Sequence, residues 1–409
     1  MINKYSISNF KIHKEGYIFG LNGLTILTGT NNSGKSSVVQ SLRLLSKING
    51  SVSRYTRLPF EDVRELKDFK RTLNKDVSRS ESIKYKFSLN IEEFKFCNIE
   101  LEFESIYNFR IPFKEIIDQA ILKRVDIYFE NNDGLIKNYE FIISVHDANN
   151  ITYDLNEINL NDENGIKLIQ NEIVFRGLYP NLMPKVDFYG LKELLIITGH
   201  LGEISDTSIA YIPGLRQDMS VSMAEFLDDF KEMIIFDGKS KLKEAFNFWT
   251  NRILNTEFRV NIQDNVRRVV AIEGNIEFDL SQIGFGNTQI LPILVSILTS
   301  NRGDLIIIEN PEVHLHPKWK TNLVELFYYA VKHGVNILIE TQSLEIVNRI
   351  RLAIKNDNKL KDKTSLYFFE KHGLISSIQK IEIERTGSLD SWPDDFIDKV
   401  TIEDNFELM

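Results

Sequence analysis

Residues 24–45 read L-T-I-L-T, then G-T-N-N-S-G-K-S, then S-V-V-Q-S-L-R-L-L. The first run, from Leu24 to Thr28, is apolar and β-branched and reads as a strand. The last, from Ser37 to Leu45, has its apolar residues at helical spacing. The octapeptide between them, Gly29 to Ser36, satisfies G-x-x-x-x-G-K-[ST], the Walker A pattern. No other feature constrains the fold so tightly, because strand, glycine-rich turn and helix must follow one another without a break. Gly29 and Gly34 let the backbone wrap closely around a phosphate, and the loop N–H groups join the positive end of the helix dipole. In such a loop Lys35 reaches the β- and γ-phosphates and the Ser36 hydroxyl holds Mg²⁺. The segment therefore implies a nucleoside triphosphate site.

Such a site needs a second strand that carries a carboxylate. Leu305 to Ile308 is an apolar run ending in Glu309, at the strand end where sheet ligands bind. It continues Asn310-Pro311-Glu312-Val313-His314-Leu315-His316-Pro317. Glu312, His314 and His316 also carry metal-ligand chemistry, since H-x-H puts two imidazoles on one side of a strand. No third ligand stands at a familiar spacing, so a loop beside the phosphates is the preferred reading. Asn336 to Ile339 is a further buried strand, and Glu340-Thr341-Gln342-Ser343 follows it as a natural γ-phosphate sensor. Upstream, Gly284-Phe285-Gly286-Asn287-Thr288-Gln289 precedes an apolar helix, with Thr288 expected as its N-cap and the helix start receptive to an anion.

The rest of the chain sets the frame. Its 409 residues, 43% of them hydrophobic, allow two to three domains with substantial cores. Cys97 is the only cysteine, which excludes a disulfide framework and a cysteine zinc site. The N-terminal residues lack the apolar core of a signal peptide, and the longest apolar runs, such as Ile290 to Leu298, are too short to span a bilayer. A cytoplasmic protein without membrane contact is expected. The net charge of −9 argues against a broadly basic nucleic-acid coat, although Lys67 to Arg71 and Arg349 to Arg351 form local basic clusters. Residues 83–105 and 125–155 alternate with period two, and Asp133-Gly134 marks a hairpin. Residues 61–73 and most of 157–255 look helical, the latter broken by turns at Tyr179-Pro180, Met183-Pro184 and Pro213-Gly214. Strands return over 257–280 with a turn at Glu273-Gly274-Asn275. From Leu280 onward, buried strands alternate with helices, the mark of a mostly parallel sheet. Neither repeats nor sustained heptads occur.

The order of N-F-K-I (9–12), the Walker A loop, S-Q-I-G-F-G-N-T-Q-I-L-P-I-L (281–294), L-I-I-I-E-N-P-E-V-H-L-H-P (305–317) and E-T-Q-S-L-E-I-V-N-R-I (340–350) resembles the ABC-type ATPases of the RecF, SMC and OLD superfamily. Within that group the chain looks most like the compact, AAA-15-like ATPases of bacterial defence islands, the PtuA- and AriA-like proteins. Their tail resembles R-T-G-S-L-D-S-W-P-D-D-F (385–396). The resemblance implies an α/β ABC-type P-loop ATPase head with a mostly parallel core sheet, an antiparallel β subdomain and a helical insertion. The expected divisions are an N-terminal ATPase lobe over 1–156, the insertion over 157–256 and a C-terminal lobe over 257–409. ATP and Mg²⁺ are the implied cofactors. Gly29, Asn31, Asn32, Ser33, Gly34, Lys35, Ser36 and Ser37 would bind ATP, and Ser36 and Glu309 would hold the metal. Gly286 to Gln289 stand where the ABC signature sits, so Gly286 and Thr288 would complete the site of a second subunit. A homodimer or higher homo-oligomer with ATP at its interface follows. A separate protein effector, a nuclease or toxin in antiphage defence, is the expected partner, and a RecF-like DNA-repair ATPase that binds DNA is the alternative. Two positions depart from the pattern. Asn310 stands where a water-polarising acid is common, with Glu312 as a substitute, and Gln342 stands where many relatives carry a histidine. Slow hydrolysis is expected.

Overall fold

The computed structural model describes residues 2–50, 56–63, 65–108, 118–147, 150–159, 173–176, 178–182, 192–214, 240–263, 266–274, 276–279, 285–373 and 375–391. Two compact units interleave along the chain. One takes Met1–Leu21, Thr30–Ile209 and Phe369–Ile378; the other takes Asn22–Gly29, Ala210–Phe368 and Gln379–Met409.

The first unit is built on a nine-stranded sheet. Its strands are β1 (Ile2–Ser8), β2 (Phe19–Gly20), β4 (Ile83–Leu89), β5 (Phe94–Ser105), β6 (Ala120–Asn131), β7 (Ile136–Asp147), β8 (Asn150–Asn159), β9 (Ile173–Arg176) and β10 (Tyr179–Leu182), in the order β10-β9-β8-β7-β6-β5-β4-β1-β2. The pairings are antiparallel throughout. The period-two pattern accounts for the two faces. In β4, Ile83, Tyr85, Phe87 and Leu89 are buried, while Lys84 and Lys86 pair across to Glu102 and Glu100 of β5, each at 2.8 Å. Opposite charges facing each other across strands keep that face polar and in register. Gly134, at φ 85°, makes the expected turn between β6 and β7, its N–H bonded to Asn131 O at 3.1 Å. Helix α1 (Lys35–Lys47) packs Val38, Val39, Leu42 and Leu45 inward, and the buried Tyr5 hydroxyl donates to Ser41 Oγ at 2.7 Å, tying β1 to it.

One helical expectation fails in this unit. Over 61–73 the structure has a 3-10 turn at Phe60–Asp62 and a single helical turn, α2 (Phe69–Thr72), capped by Asp68. The apolar residues spaced by three, Phe60, Val63, Leu66 and Phe69, are indeed buried, but backbone bonds go to distant chain: Leu58 N–H to Ala120 O and Phe69 N–H to Asp118 O. The described part of 157–255 is mostly helical as expected, over Lys192–Gly202 and Ser240–Leu254, but it opens with strands: β8 runs to Asn159 and β9 and β10 follow. Tyr179-Pro180 opens a strand at the sheet's edge, where a residue without an N–H is tolerated. Met183-Pro184 lies outside the described residues. Helix α3 (Lys192–Gly202) is the helical part of that stretch within the first unit.

The second unit holds a six-stranded sheet in the order β11-β15-β16-β3-β17-β18, with β3 (Leu24–Gly29), β11 (Ile209–Ile212), β15 (Leu305–Glu309), β16 (Asn336–Glu340), β17 (Thr364–His372) and β18 (Ile375–Ile381). The last two strands leave one unit and enter the other along their length. β15, β16 and β3 are parallel, as their unbroken apolar runs predict, with Glu309 opposite Glu340 and Glu340 opposite Leu27. Helices α4 (Ser240–Leu254), α5 (Phe285–Thr299), α6 (Pro317–Lys332) and α7 (Leu344–Asn356) bury Phe246, Trp249, Leu291, Leu294, Leu323, Phe327, Ile346 and Ile350 in one core with Ile306, Ile308, Ile337 and Ile339. A three-stranded meander, β12 (Glu257–Gln263), β13 (Val266–Glu273) and β14 (Ile276–Asp279), turns at Gly274 with φ 65°. Among the described residues no helix is long and apolar enough to cross a membrane.

Candidate functional site

The chain leaves β3 at Gly29, whose φ of 130° requires glycine, and enters the loop. Thr30 N–H is bonded to Phe369 O at 3.0 Å, Asn32 is left-handed at φ 57°, and Gly34 caps α1 at φ 107°. A Cβ on Gly34 would lie 2.7 Å from Ile12 Cγ2 and 2.8 Å from the His13 ring, so no larger residue fits. Lys35, only 3% exposed, folds back over the loop, with Nζ 2.6 Å from Thr30 O and 3.4 Å from Ser33 Oγ. The ammonium is thus held within the loop curve, where a polyphosphate would meet it. Asn31, Asn32 and Ser36 are exposed, and Ser33 and Ser37 are buried. Ser36, in the first turn of α1, is exposed.

Beside α1, which Lys11 and Glu65 reach at Gln40 and Arg43, the first unit has a cavity of about 210 Å³ lined by Lys11, Glu65, Leu66, Lys67, Arg71 and Thr72. Lys11 is left-handed at φ 51°, and its Nζ reaches Gln40 Oε1 on α1 at 2.5 Å. Burial lowers the Lys11 pKa and the Glu65 carboxylate raises it. Lys11 sits in the N-F-K-I segment, where nothing in its neighbouring residues marks a role for it.

In the second unit the parallel register places Gly29, Glu340 and Glu309 at the C-terminal ends of three adjacent strands. Glu309 is half-buried and Glu340 is 6% exposed. Asn310 follows at φ 42°, its N–H bonded to Glu340 O at 2.7 Å. Two tight turns succeed it, Val313 N–H to Asn310 O and Leu315 N–H to Glu312 O. They carry the Glu312 carboxylate to Thr341, whose hydroxyl donates to Glu312 Oε1 at 2.7 Å, while Oε2 is buried without a hydrogen-bond partner among the described residues. Thr341 Oγ1 also accepts Ser343 N–H at 3.0 Å, and Ser343 caps α7. Gln342 is exposed.

The alternative metal cluster does not form. His314 is exposed, and His316 caps α6 by accepting Lys318 N–H on Nδ1 at 3.3 Å. No group of three potential metal ligands occurs among the described residues. Thr288 is not an N-cap either, since α5 already begins at Phe285. Gly286 and Thr288 instead fall in its first turn, where backbone N–H groups have no intrahelical acceptor. Ser281 to Gly284 lie outside the described residues, as does the tail from residue 392.

Residues 24–348 match the family described as "AAA domain, putative AbiEii toxin, Type IV TA system". The chain belongs to this AAA_21 family. Residues 361–404 of the AAA_21 chain match a second family, described as "Protein of unknown function (DUF3696)". No curated protein matches by sequence. Among solved structures, a Smc head bound to the C-winged helix domain of ScpA is 11% identical, with 94% of this chain and 98% of that one covered at a TM-score of 0.51. The SMC head of Thermotoga maritima is 12% identical, covering 93% and 99% at 0.45. A Smc head with an extended coiled coil, bound to the C-terminal domain of ScpA from Pyrococcus furiosus, is 10% identical, covering 99% and 99% at 0.46. The first of these gives the AAA_21 chain the fold of an SMC head, in agreement with the expected fold class.

Proposed function

We propose that this P-loop ATPase binds MgATP on the Gly29–Ser37 loop, hydrolyses it slowly, and uses the ATP state to hold a homodimer and a separate effector. One observation carries the nucleotide reading: a buried lysine folded back into the glycine-capped loop that leads from β3 into α1. By the motif chemistry Lys35 would neutralise the β- and γ-phosphates, Ser36 and Glu309 would hold Mg²⁺, and Glu312, tethered by Thr341, would orient the attacking water. The cavity by Lys11 gives the remainder of the nucleotide a place beside α1. Asn310 can bond a water but cannot take its proton, and Gln342 cannot carry charge, so those two positions lack the general-base help worth about 10²–10⁴ in rate, and Glu312 is left as the substitute.

The first turn of α5, with Gly286 and Thr288, offers backbone N–H groups to the ATP of a second copy. The effector role is supported by the family description, which names a toxin, and by a fold neighbour whose title records a bound partner domain. The DNA reading has less behind it, because Arg351 bonds Gly387 O through Nε and Asn348 Oδ1 through Nη1 and so serves the fold. Sedimentation with and without MgATP tests the assembly. A shift to dimer that Gly286→Glu abolishes supports it, and unchanged monomers refute it.

A further inference from the structure

A loop that cradles phosphate must hold its N–H groups outward, and each is fixed to the carbonyl across its peptide plane. In a trans peptide the C=O and N–H point in opposite directions, so whatever grips the carbonyl aims the N–H. Three carbonyls of this loop are gripped by side chains. Thr30 O accepts from Lys35 Nζ and from Ser33 Oγ, at 2.6 and 2.7 Å, both within the loop. The other two are gripped from outside it. Ser376 Oγ donates to Ser33 O at 2.5 Å, and His13 Nε2 donates to Gly34 O at 2.9 Å. The Ser33 carbonyl shares its plane with Gly34 N–H, and the Gly34 carbonyl shares its plane with Lys35 N–H.

Both donors are themselves anchored. His13 is 4% exposed, exchanges backbone hydrogen bonds with Phe10 in both directions at 2.9 Å, and sets its ring edge-on to Phe369 at 6.2 Å. Burial lowers its pKa below the usual imidazole range, so the ring is neutral, and a carbonyl partner requires the proton on Nε2. Ser376 sits on β18, and the preceding strand supplies Phe369 O to Thr30 N–H at 3.0 Å. The β17–β18 segment therefore holds the loop at two points. Neither His13 nor Ser376 lies within the 24–348 match to the ATPase family.

We propose that His13 and Ser376 are positioning residues for nucleotide binding, each holding one loop carbonyl from behind so that Lys35 N–H and Gly34 N–H point at the β-phosphate. The proposal rests on the nucleotide-site reading above. Ser376 brings the C-terminal segment into the site, so a change in the β17–β18 hairpin would be felt as a change in phosphate affinity.

Calorimetry of the full chain with MgADP, which avoids turnover, tests it. His13→Leu fills the same space without a donor, whereas His13→Gln keeps an N–H. The Leu variant should lose about tenfold in ADP affinity, the value of one charge-assisted hydrogen bond. The Gln variant should recover most of that loss, with both melting at the same temperature. Ser376→Ala should lose about three- to tenfold with unchanged melting, and it carries the test alone if the His13 variants do not fold. Equal ADP affinity for Leu and Gln variants, together with a wild-type-like Ser376→Ala, would overturn the proposal. If wild type binds ADP and Lys35→Ala does not, the nucleotide site stands whatever these variants show. A wild type without ADP affinity would overturn both.

Discussion

Thr341→Val removes one hydroxyl and little volume, which makes it the sharpest probe of what Glu312 does. Thr341 is fully buried, its hydroxyl is the hydrogen-bond donor to Glu312 Oε1 at 2.7 Å, and it accepts Ser343 N–H at the start of α7. Glu312 Oε2 is already buried without a hydrogen-bond partner among the described residues, so the valine variant strips the carboxylate of its tether. A hydrogen bond to a charged group contributes about 1.5–3 kcal/mol, and the orphaned Ser343 N–H adds about 1 kcal/mol. Stability should fall by roughly 2–4 kcal/mol in urea unfolding. If Glu312 orients water, losing a tether of that size lowers kcat about 10- to 100-fold, while ATP affinity, set by the Lys35 loop, stays near wild type. Phosphate release gives kcat, and a nucleotide titration gives affinity. The control is Thr341→Val on a Glu312→Gln background, where the second change should cost no further kcat because the two act as one unit. A variant that loses stability at unchanged kcat would make Glu312 a structural strut and refute the reasoning.

Gly34→Ala should lose at least about 2 kcal/mol and ATP binding with it, because φ 107° is left-handed and the added Cβ meets Ile12 and His13 at 2.7 and 2.8 Å; calorimetry and thermal melts check this. Asn310→Glu should raise steady-state turnover by about 10–10² at roughly 1 kcal/mol in stability, since Asn310 is left-handed at φ 42° and glutamate tolerates that less well than asparagine. The buried His13 makes stability fall in acid. Its folded pKa lies below its unfolded value, so as pH drops below about 6.5 the unfolded chain takes up the proton first and stability declines by at most about 1.4 kcal/mol per pH unit. Urea midpoints at pH 7.5 and 5.5 should show that decline in wild type, with a smaller one in His13→Gln.

Features whose cause is local were legible in the sequence. The alternation of β4 to β7, the turns at Gly134 and Gly274 and the loop from Gly29 to Ser36 each follow from a few adjacent residues. The helix expected over 61–73 failed because apolar residues spaced by three suit a helix and a folded-back loop equally, and bonds to Asp118 and Ala120 decided for the loop. Thr288 is a good cap by composition, yet α5 starts three residues earlier, at Phe285. The β8 segment Asn150–Asn159 has an alternating pattern of its own, but its place as a strand depends on a partner, β7. Gly29, Lys35 and Glu309 were named as candidates from motif chemistry. Lys11, His13 and Ser376 were not, because their partners lie 29, 21 and 343 positions away. Glu312 was named as a candidate, whereas Thr341, the residue that fixes it, emerged only from the fold.

The central claim is that this loop holds the phosphates of ATP, and calorimetric titration of wild type and Lys35→Ala with MgATP tests it most directly. Lys35 Nζ bonds Thr30 O and Ser33 Oγ within its own loop, and Ser33 Oγ still serves Thr30 O in its absence, so the variant should keep its fold and melting temperature. The account predicts a saturable ATP isotherm in wild type that disappears in Lys35→Ala. A variant that binds ATP as wild type does would contradict it.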